Sequence, residues 1–326
     1  MVKGSSRLNL IDRLNEKFEL KVPKVRVKRL VERAIGELGE EGSEAKQATR
    51  SNGANRRELD EVSSDRGRDH DATWHSSEAR NYTELDLDKM GEAGYVIPDG
   101  RRSRIKEQYR NIKRPLLVNA FQKTDENKMA HIVLVTSACP GEGKTFTATN
   151  LAMSIAAERE IKVLLMDGDV IRQDLSQRFG IEANKGYLDL LDDDTLDVSD
   201  ILFRTNVPSL AVLPSGVARE EATELFASTR MNDLMDDLAA RYHDRIIIID
   251  TPPILASSET NALAPHTGQY VIVIEAGKTS QQAIEEALHL LTPCEYTYCI
   301  LNKAADADLI ERYGSYQEYY ITESRG

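Results

Sequence analysis

Apolar positions are unevenly spread along this chain. From residue 131 onward, short runs of β-branched and aliphatic residues recur: HIVLVTSA, KVLLMD, LAVLP, RIIIID, YVIVIEAG and TYCILN. Unbroken apolar runs of this length belong to strands buried on both faces of a parallel sheet. Between them the apolar spacing changes to three and four. MNDLMDDLAARY (231–242) and SQQAIEEALHLL (280–291) are helical by period, and TFTATNLAMSIAAE (145–158) reads as the helix that follows a Gly-rich turn. SRIKEQYRNIKRPLLVNAF (103–121) predicts a helix leading into the fold. The alternation predicts a doubly wound α/β domain with a mostly parallel sheet. Ligands of such folds sit at the carboxyl ends of the strands.

Upstream the pattern differs. Residues 1–38 are basic and hold two short amphipathic stretches, LIDRLNEKFEL and VKRLVERAIGEL, separated by Pro23. In the second, Leu30, Val31, Ala34, Ile35 and Leu38 recur at helical spacing. Residues 39–83 are polar and low in large apolar residues, with Trp74 the bulkiest of them. Ordering a residue costs about 1–2 kcal/mol of backbone entropy. With so little to bury in return, this stretch is expected to be a disordered linker. The predicted organisation is an N-terminal segment (1–38), a linker (39–83), a folded domain (84–310) and a tail (311–326).

Composition narrows the function classes. The chain has 326 residues and a formal net charge of −12, which argues against a nucleic-acid partner because phosphate contacts need a basic surface. Three cysteines, none in a CxxC pair, predict neither a disulfide framework nor a zinc site. No apolar run approaches the roughly 18 residues that would span a bilayer. The opening MVKGSSRLNLIDRL lacks the apolar core of a signal peptide, so a cytoplasmic location is expected.

The strongest chemical signal is SACPGEGKT, residues 137–145, lying between a predicted strand and a predicted helix. It has the phosphate-loop form Ala138-x-x-x-x-Gly143-Lys144-Thr145, with Ala in place of the usual first Gly. Pro140, Gly141, Glu142, Gly143, Lys144, Thr145 and Phe146 are therefore the candidate nucleotide-binding residues. Gly141 and Gly143 allow the backbone to turn its N–H groups inward, and the helix N-terminus adds its positive dipole end. Lys144 is expected to reach the β- and γ-phosphates of ATP, and the Thr145 hydroxyl to hold Mg²⁺. Two other strand ends supply carboxylates: Asp167 and Asp169 in VLLMDGDVIR, and Asp250 in RIIIIDTPP. A single acid at a strand end is often a helix cap. Three beside a phosphate loop read as Mg²⁺ ligands, here Asp167 and Asp250, together with a base for a hydroxyl nucleophile, Asp167 or Asp169.

These three motifs, with the terminal cluster Tyr313, Tyr316, Tyr319 and Tyr320, resemble the bacterial tyrosine kinase (BY-kinase) family, which has a MinD/ParA-like P-loop NTPase fold. DLDKMGEAGYVIPDG, IKRPLLVNAF, LPSG, ATELFAS and VIVIEAGKTSQ resemble its exosortase-associated (XrtA, PEP-CTERM) autokinases of exopolysaccharide biosynthesis. The resemblance runs from about residue 84 to the end. It implies an ATP-dependent protein-tyrosine autokinase that phosphorylates the tyrosine cluster of a neighbouring copy in a ring-like homo-oligomer and regulates exopolysaccharide polymerisation and export. It also implies a membrane-embedded, Wzz-like chain-length partner, an opposing tyrosine phosphatase and a peripheral location at the inner membrane. The basic start, with Lys21, Lys24, Arg26, Lys28 and Arg29, adds attraction to an anionic leaflet, about 1 kcal/mol per charge.

The family's Glu-x-x-Arg-x-x-Arg, implicated in ring assembly, here reads Glu107, Arg110 and Lys113. Lys lacks the planar fork of Arg. Asn302, in ILNK, stands where related P-loop ATPases contact adenine.

Two other readings share the fold. A MinD/ParA-like positioning ATPase would carry a signature Lys five positions before the loop Lys, where this chain has Cys139. A non-catalytic, nucleotide-gated adaptor of a polysaccharide export machine would not need an intact Lys144, Thr145 and three carboxylates.

Overall fold

The computed structural model describes residues 81–121, 129–158, 160–193, 195–219, 222–291, 294 and 296–304. The basic N-terminal segment, nearly all of the linker and the four tail tyrosines lie outside these residues.

The chain runs β1 (Asn81–Thr83), α1 (Leu87–Glu92), α2 (Arg104–Phe121), β2 (Ile132–Ser137), α3 (Lys144–Ala156) and β3 (Lys162–Asp167). Three short helices follow, α4 (Asp174–Arg178), α5 (Tyr187–Leu190) and α6 (Val198–Ile201), then β4 (Phe203–Thr205) and β5 (Leu210–Leu213). The remainder is α7 (Ala222–Phe226), α8 (Thr229–Arg241), β6 (Arg245–Asp250), α9 (Glu259–Leu263), β7 (Gln269–Glu275), α10 (Gln281–Leu290) and β8 (Tyr296–Asn302). The strands form one sheet in the order β1-β4-β5-β3-β6-β2-β7-β8. Every neighbouring pair is parallel except β4–β5. This is the expected doubly wound, mostly parallel α/β fold.

The apolar runs become β2, β3, β5, β6, β7 and β8, and they are buried as their composition requires. Along β6, Ile247 and Ile249 join a layer with Leu134, Leu164 and Ile272, under Met231, Met235 and Leu238 of α8 and Ala287 of α10. Ile246 and Ile248 face the opposite layer, with Val133, Val135, Leu116 of α2, and Leu151 and Ile155 of α3. Fully burying one such side chain is worth about 1.5–3 kcal/mol. The two layers fix the central strands, and with them the carboxyl ends that form the site.

β1 and β4 carry no apolar run and were not expected. β1 falls in the stretch assigned to the linker, so the folded domain takes in residues before 84. Polar side chains hold it: Asn81 Nδ2 donates to the Asp200 carbonyl (2.8 Å), and the buried Thr83 hydroxyl donates to the Phe179 carbonyl (2.8 Å). Hydrogen bonds to distant carbonyls leave no local period to read.

Helix α2 departs from the expectation for Lys113. Glu107 and Arg110 are exposed and pair with each other at 2.7 Å. Lys113 is buried, donating to the Ser154 carbonyl and pairing with Glu158. Ser154 lies in the last turn of α3, where carbonyls lack helical partners and the dipole favours a cation. Lys113 thus caps α3 from within its own domain, and its ammonium is not turned to an outer surface.

Candidate functional site

β2 delivers the chain into the loop 138–143, and α3 begins at Lys144. Gly141 (φ 83°) and Gly143 (φ 95°) are both left-handed, a conformation that side chains with a Cβ resist. Gly143 is the N-cap of α3 and supplies no side-chain acceptor, so the first-turn N–H groups keep the anion-binding character of a helix start. A Cβ on Gly143 would also collide with the Asn302 amide nitrogen. Gly143→Ala is therefore expected to fold yet bind nucleotide at least about tenfold more weakly, the strain being about 1–3 kcal/mol. Titration with a fluorescent ADP analogue, with circular dichroism as the folding control, measures this. Unchanged affinity would show that the loop does not cradle phosphate.

Within the loop, the Glu142 side chain is buried and turned away from the cradle. It accepts from the Cys139 N–H (2.7 Å) and from the Thr279 hydroxyl. Only its backbone is left to face a phosphate. Phe146 packs its ring on Tyr95, with centroids 4.8 Å apart, and the Tyr95 hydroxyl accepts from Arg178 (3.0 Å). Pro140 lies exposed at the loop's tip.

The carboxylates converge because their strands are in register. Asp167 at the end of β3 is paired with Asp250 at the end of β6. Gly168 makes this possible: its N–H donates to the Asp250 carbonyl (2.7 Å), and a Cβ there would lie 2.8 Å from that oxygen. The Lys144 ammonium, itself buried, sits 2.9 Å from Asp169 Oδ2. The other Asp169 oxygen accepts from the Arg172 N–H at 3.2 Å. Asp167 Oδ2 accepts from the Ser176 N–H (3.0 Å) and hydroxyl (2.7 Å), holding the start of α4, so the structural role open to such an acid is realised here. Its Oδ1 has no partner, and neither oxygen of Asp250 has one.

Burial pushes the Asp250 carboxyl up to about 7; the Lys144 charge and Thr145 hydroxyl pull it down, and Asp167 and Asp169 raise it. Burial likewise pushes Asp167 up to about 6, against its bonds from Ser176. Orphaned buried carboxylate oxygens are costly. Paired with a phosphate loop, they form a site shaped for a cation that arrives with a ligand. Among the described residues no group of three or more His, Cys, Asp or Glu side chains could cage a metal alone. Mg²⁺ needs no such cage, since it takes one or two protein groups and completes its shell with phosphates and water. Thr145, Asp250 and Asp167 fit that role.

Sequence reasoning missed several supporting groups. Gln173, left-handed at φ 50°, donates its amide to the Ser215 hydroxyl (3.0 Å) and the Gly216 carbonyl (2.6 Å), tying the end of the acidic segment to the LPSG turn. Tyr187, packed on Phe226, buries an unpartnered hydroxyl that its burial and the charges of Asp167 and Asp169 hold well above the usual phenol range. Neither has a local signal. Asn302 and its neighbour Lys303 both donate to the loop backbone, and nothing in the sequence announces that role for either.

The fold and loop define a P-loop nucleotide-binding protein, and residues 130–303 match the AAA domain family. YwqD of Bacillus subtilis, a tyrosine-protein kinase, is 34% identical over 189 residues, covering 58% of this chain and 76% of that protein. CpsD of Streptococcus agalactiae, also a tyrosine-protein kinase, is 32% identical over 222 residues, covering 67% of this chain and 92% of that protein. The solved kinase domain of VpsO is 30% identical with a TM-score of 0.53, covering 61% of this chain and 96% of that domain. The chain spans only 23% of the length of EpsB from Ralstonia nicotianae, which it also matches. This chain belongs to the bacterial tyrosine-protein kinase family.

Proposed function

We propose that this chain moves the γ-phosphoryl group of ATP, with Mg²⁺, onto tyrosine hydroxyls, and that Tyr313, Tyr316, Tyr319 and Tyr320 of a neighbouring copy are its substrates. The observation that carries the reading is the Lys144–Asp169 ion pair beside the unpartnered Asp250 carboxylate, at the mouth of the phosphate loop. Lys144 and the loop N–H groups bind the phosphates. Thr145 and Asp250 would hold Mg²⁺, with Asp167 beside them; bound there, the ion would offset charge on the transferring phosphoryl group.

Asp169 is the proton acceptor in this reading. Its Oδ2 is occupied by the Lys144 ammonium, the group that turns to phosphate oxygens on binding. That turn leaves the carboxylate open to a phenol, whose ordinary pKa near 10 calls for a positioned base at neutral pH. The phenol oxygen bonds to the γ-phosphorus, the bond to the β-phosphate oxygen breaks, ADP leaves, and the proton passes to Asp169.

The wider reading rests on resemblance to the exosortase-associated autokinases. It comprises a ring-like homo-oligomer with Glu107 and Arg110 at the contact, control of exopolysaccharide polymerisation and export, a Wzz-like membrane partner, an opposing tyrosine phosphatase, and a peripheral inner-membrane location. No helix among the described residues is long and apolar enough to cross a membrane.

Incubation of purified protein with Mg-ATP, followed by mass spectrometric mapping of phosphate, tests the core of this reading. Phosphotyrosine is expected at residues 313–320, and replacing all four tyrosines with Phe should remove most of the label. An unlabelled wild-type chain that nonetheless binds ATP would overturn it in favour of the adaptor reading.

A further inference from the structure

Two residues at the end of β8 reach across the sheet edge to the back of the phosphate loop. The Lys303 ammonium donates to the Gly141 carbonyl (2.7 Å), and the Asn302 amide donates to the Glu142 carbonyl (2.8 Å). Glu275, paired with Asn302 in the β7–β8 register, anchors Lys303 at 3.1 Å and also meets Lys278 at 3.3 Å. Lys303 itself is left-handed (φ 55°), a conformation uncommon outside glycine. The strand end is thus bent to bring its ammonium back onto the loop. From the neighbouring turn, Thr279 holds the Glu142 side chain.

We infer that Lys303 and Asn302 are positioning residues that hold the loop open for phosphate. Peptide units are planar, and none of the described peptide bonds is cis. In a trans unit the carbonyl and the following N–H point in opposite directions. A Gly141 carbonyl held outward by Lys303 therefore turns the Glu142 N–H inward. A Glu142 carbonyl held outward by Asn302 does the same for the Gly143 N–H. Those N–H groups are the donors a phosphate loop depends on. Left to itself, a glycine-rich loop samples many conformations and must be ordered by its ligand at an entropic cost. The β8 end removes part of that cost beforehand.

The inference gives Asn302 a task at the loop backbone in place of adenine contact, served by an amide N–H donated to the Glu142 carbonyl. The inference rests on the reading of residues 137–145 as a nucleotide cradle.

The test compares wild-type protein with Lys303→Met, Lys303→Arg and Asn302→Ala. Binding of ATP and of inorganic tripolyphosphate is measured by calorimetry, and the amide resonances of Glu142 and Gly143 by nuclear magnetic resonance. A hydrogen bond from a charged donor is worth enough that Lys303→Met should weaken both ligands by about tenfold. Lys303→Arg, which keeps a cationic donor, should recover most of that loss. Asn302→Ala should weaken ATP and tripolyphosphate by the same factor, and the two resonances should shift in both weakened variants before ligand is added.

Equal affinities across the set, with unmoved resonances, would overturn the inference while leaving the cradle intact. A loss at Asn302→Ala confined to ATP would overturn it in favour of base contact. Absence of binding to the wild-type protein would instead sink the nucleotide reading itself.

Discussion

Replacing Lys144 with Met is expected to abolish phosphoryl transfer and leave a folded but less stable protein. Both effects follow from one geometry. The ammonium is buried and 2.9 Å from Asp169, which is 2% exposed. Removing one member of a buried ion pair strands the other in a low dielectric, at a cost of about 3–5 kcal/mol. Met preserves the packing of the aliphatic stem, so the loss isolates the charge. Transfer should fall by at least about 10²-fold, since a preorganised donor aimed at developing charge is removed. The double variant Lys144→Met with Asp169→Asn should regain most of the stability and none of the activity. Urea denaturation and phosphotyrosine detection on the same samples separate the two effects. Wild-type labelling by a folded Lys144→Met protein would refute the kinase mechanism.

Asp250→Asn is expected to remove transfer and also to remove the loss of stability that this carboxyl causes between about pH 4 and 7. In the folded chain this carboxyl is raised to about 7 from an ordinary value of 3.8, chiefly by burial. As pH rises, the unfolded chain loses this proton first. Between about pH 4 and 7 the folded state therefore holds the extra proton, so stability from this group falls with rising pH and levels off above 7. The full swing is about 4 kcal/mol. Asn cannot titrate. The stability difference, variant minus parent, should thus grow by that order between pH 4 and pH 8, whatever the constant cost of burying the amide. Asp167, raised to about 6, adds a smaller slope of the same sign to both proteins. Denaturant titrations at the two pH values measure the difference. A constant offset would mean that Asp250 is already satisfied in the free protein.

The central sheet and the site were legible in the sequence for one reason: their signals are local. Apolar runs such as IIII at 246–249 announce a strand whatever it pairs with, and PGEGKT carries its own turn chemistry. The strand ends then had to place Asp167, Asp169 and Asp250 together. What was not legible depends on partners far along the chain. β1 is held by polar contacts to residues about a hundred positions away, and β4 pairs with it across a similar separation, with no period of their own. Lys113 looked like a surface residue because Lys on a polar helix usually is one. Only the proximity of α3 gives it a carbonyl to cap. Asp167 shows the converse. The acid was found, but its bonds to Ser176 depend on how the chain turns after the strand.

Helix α3 is gripped at both ends by elements that approach from different sides. At its start, β8 holds the loop that feeds it; at its finish, Lys113 of α2 takes hold of its last turn. Its 13 residues make a stiff rod about 20 Å long. The outer face of α2 carries the exposed Glu107–Arg110 pair, one turn from Lys113. The exposed Glu107–Arg110 face and the phosphate cradle therefore belong to opposite ends of one stiff rod.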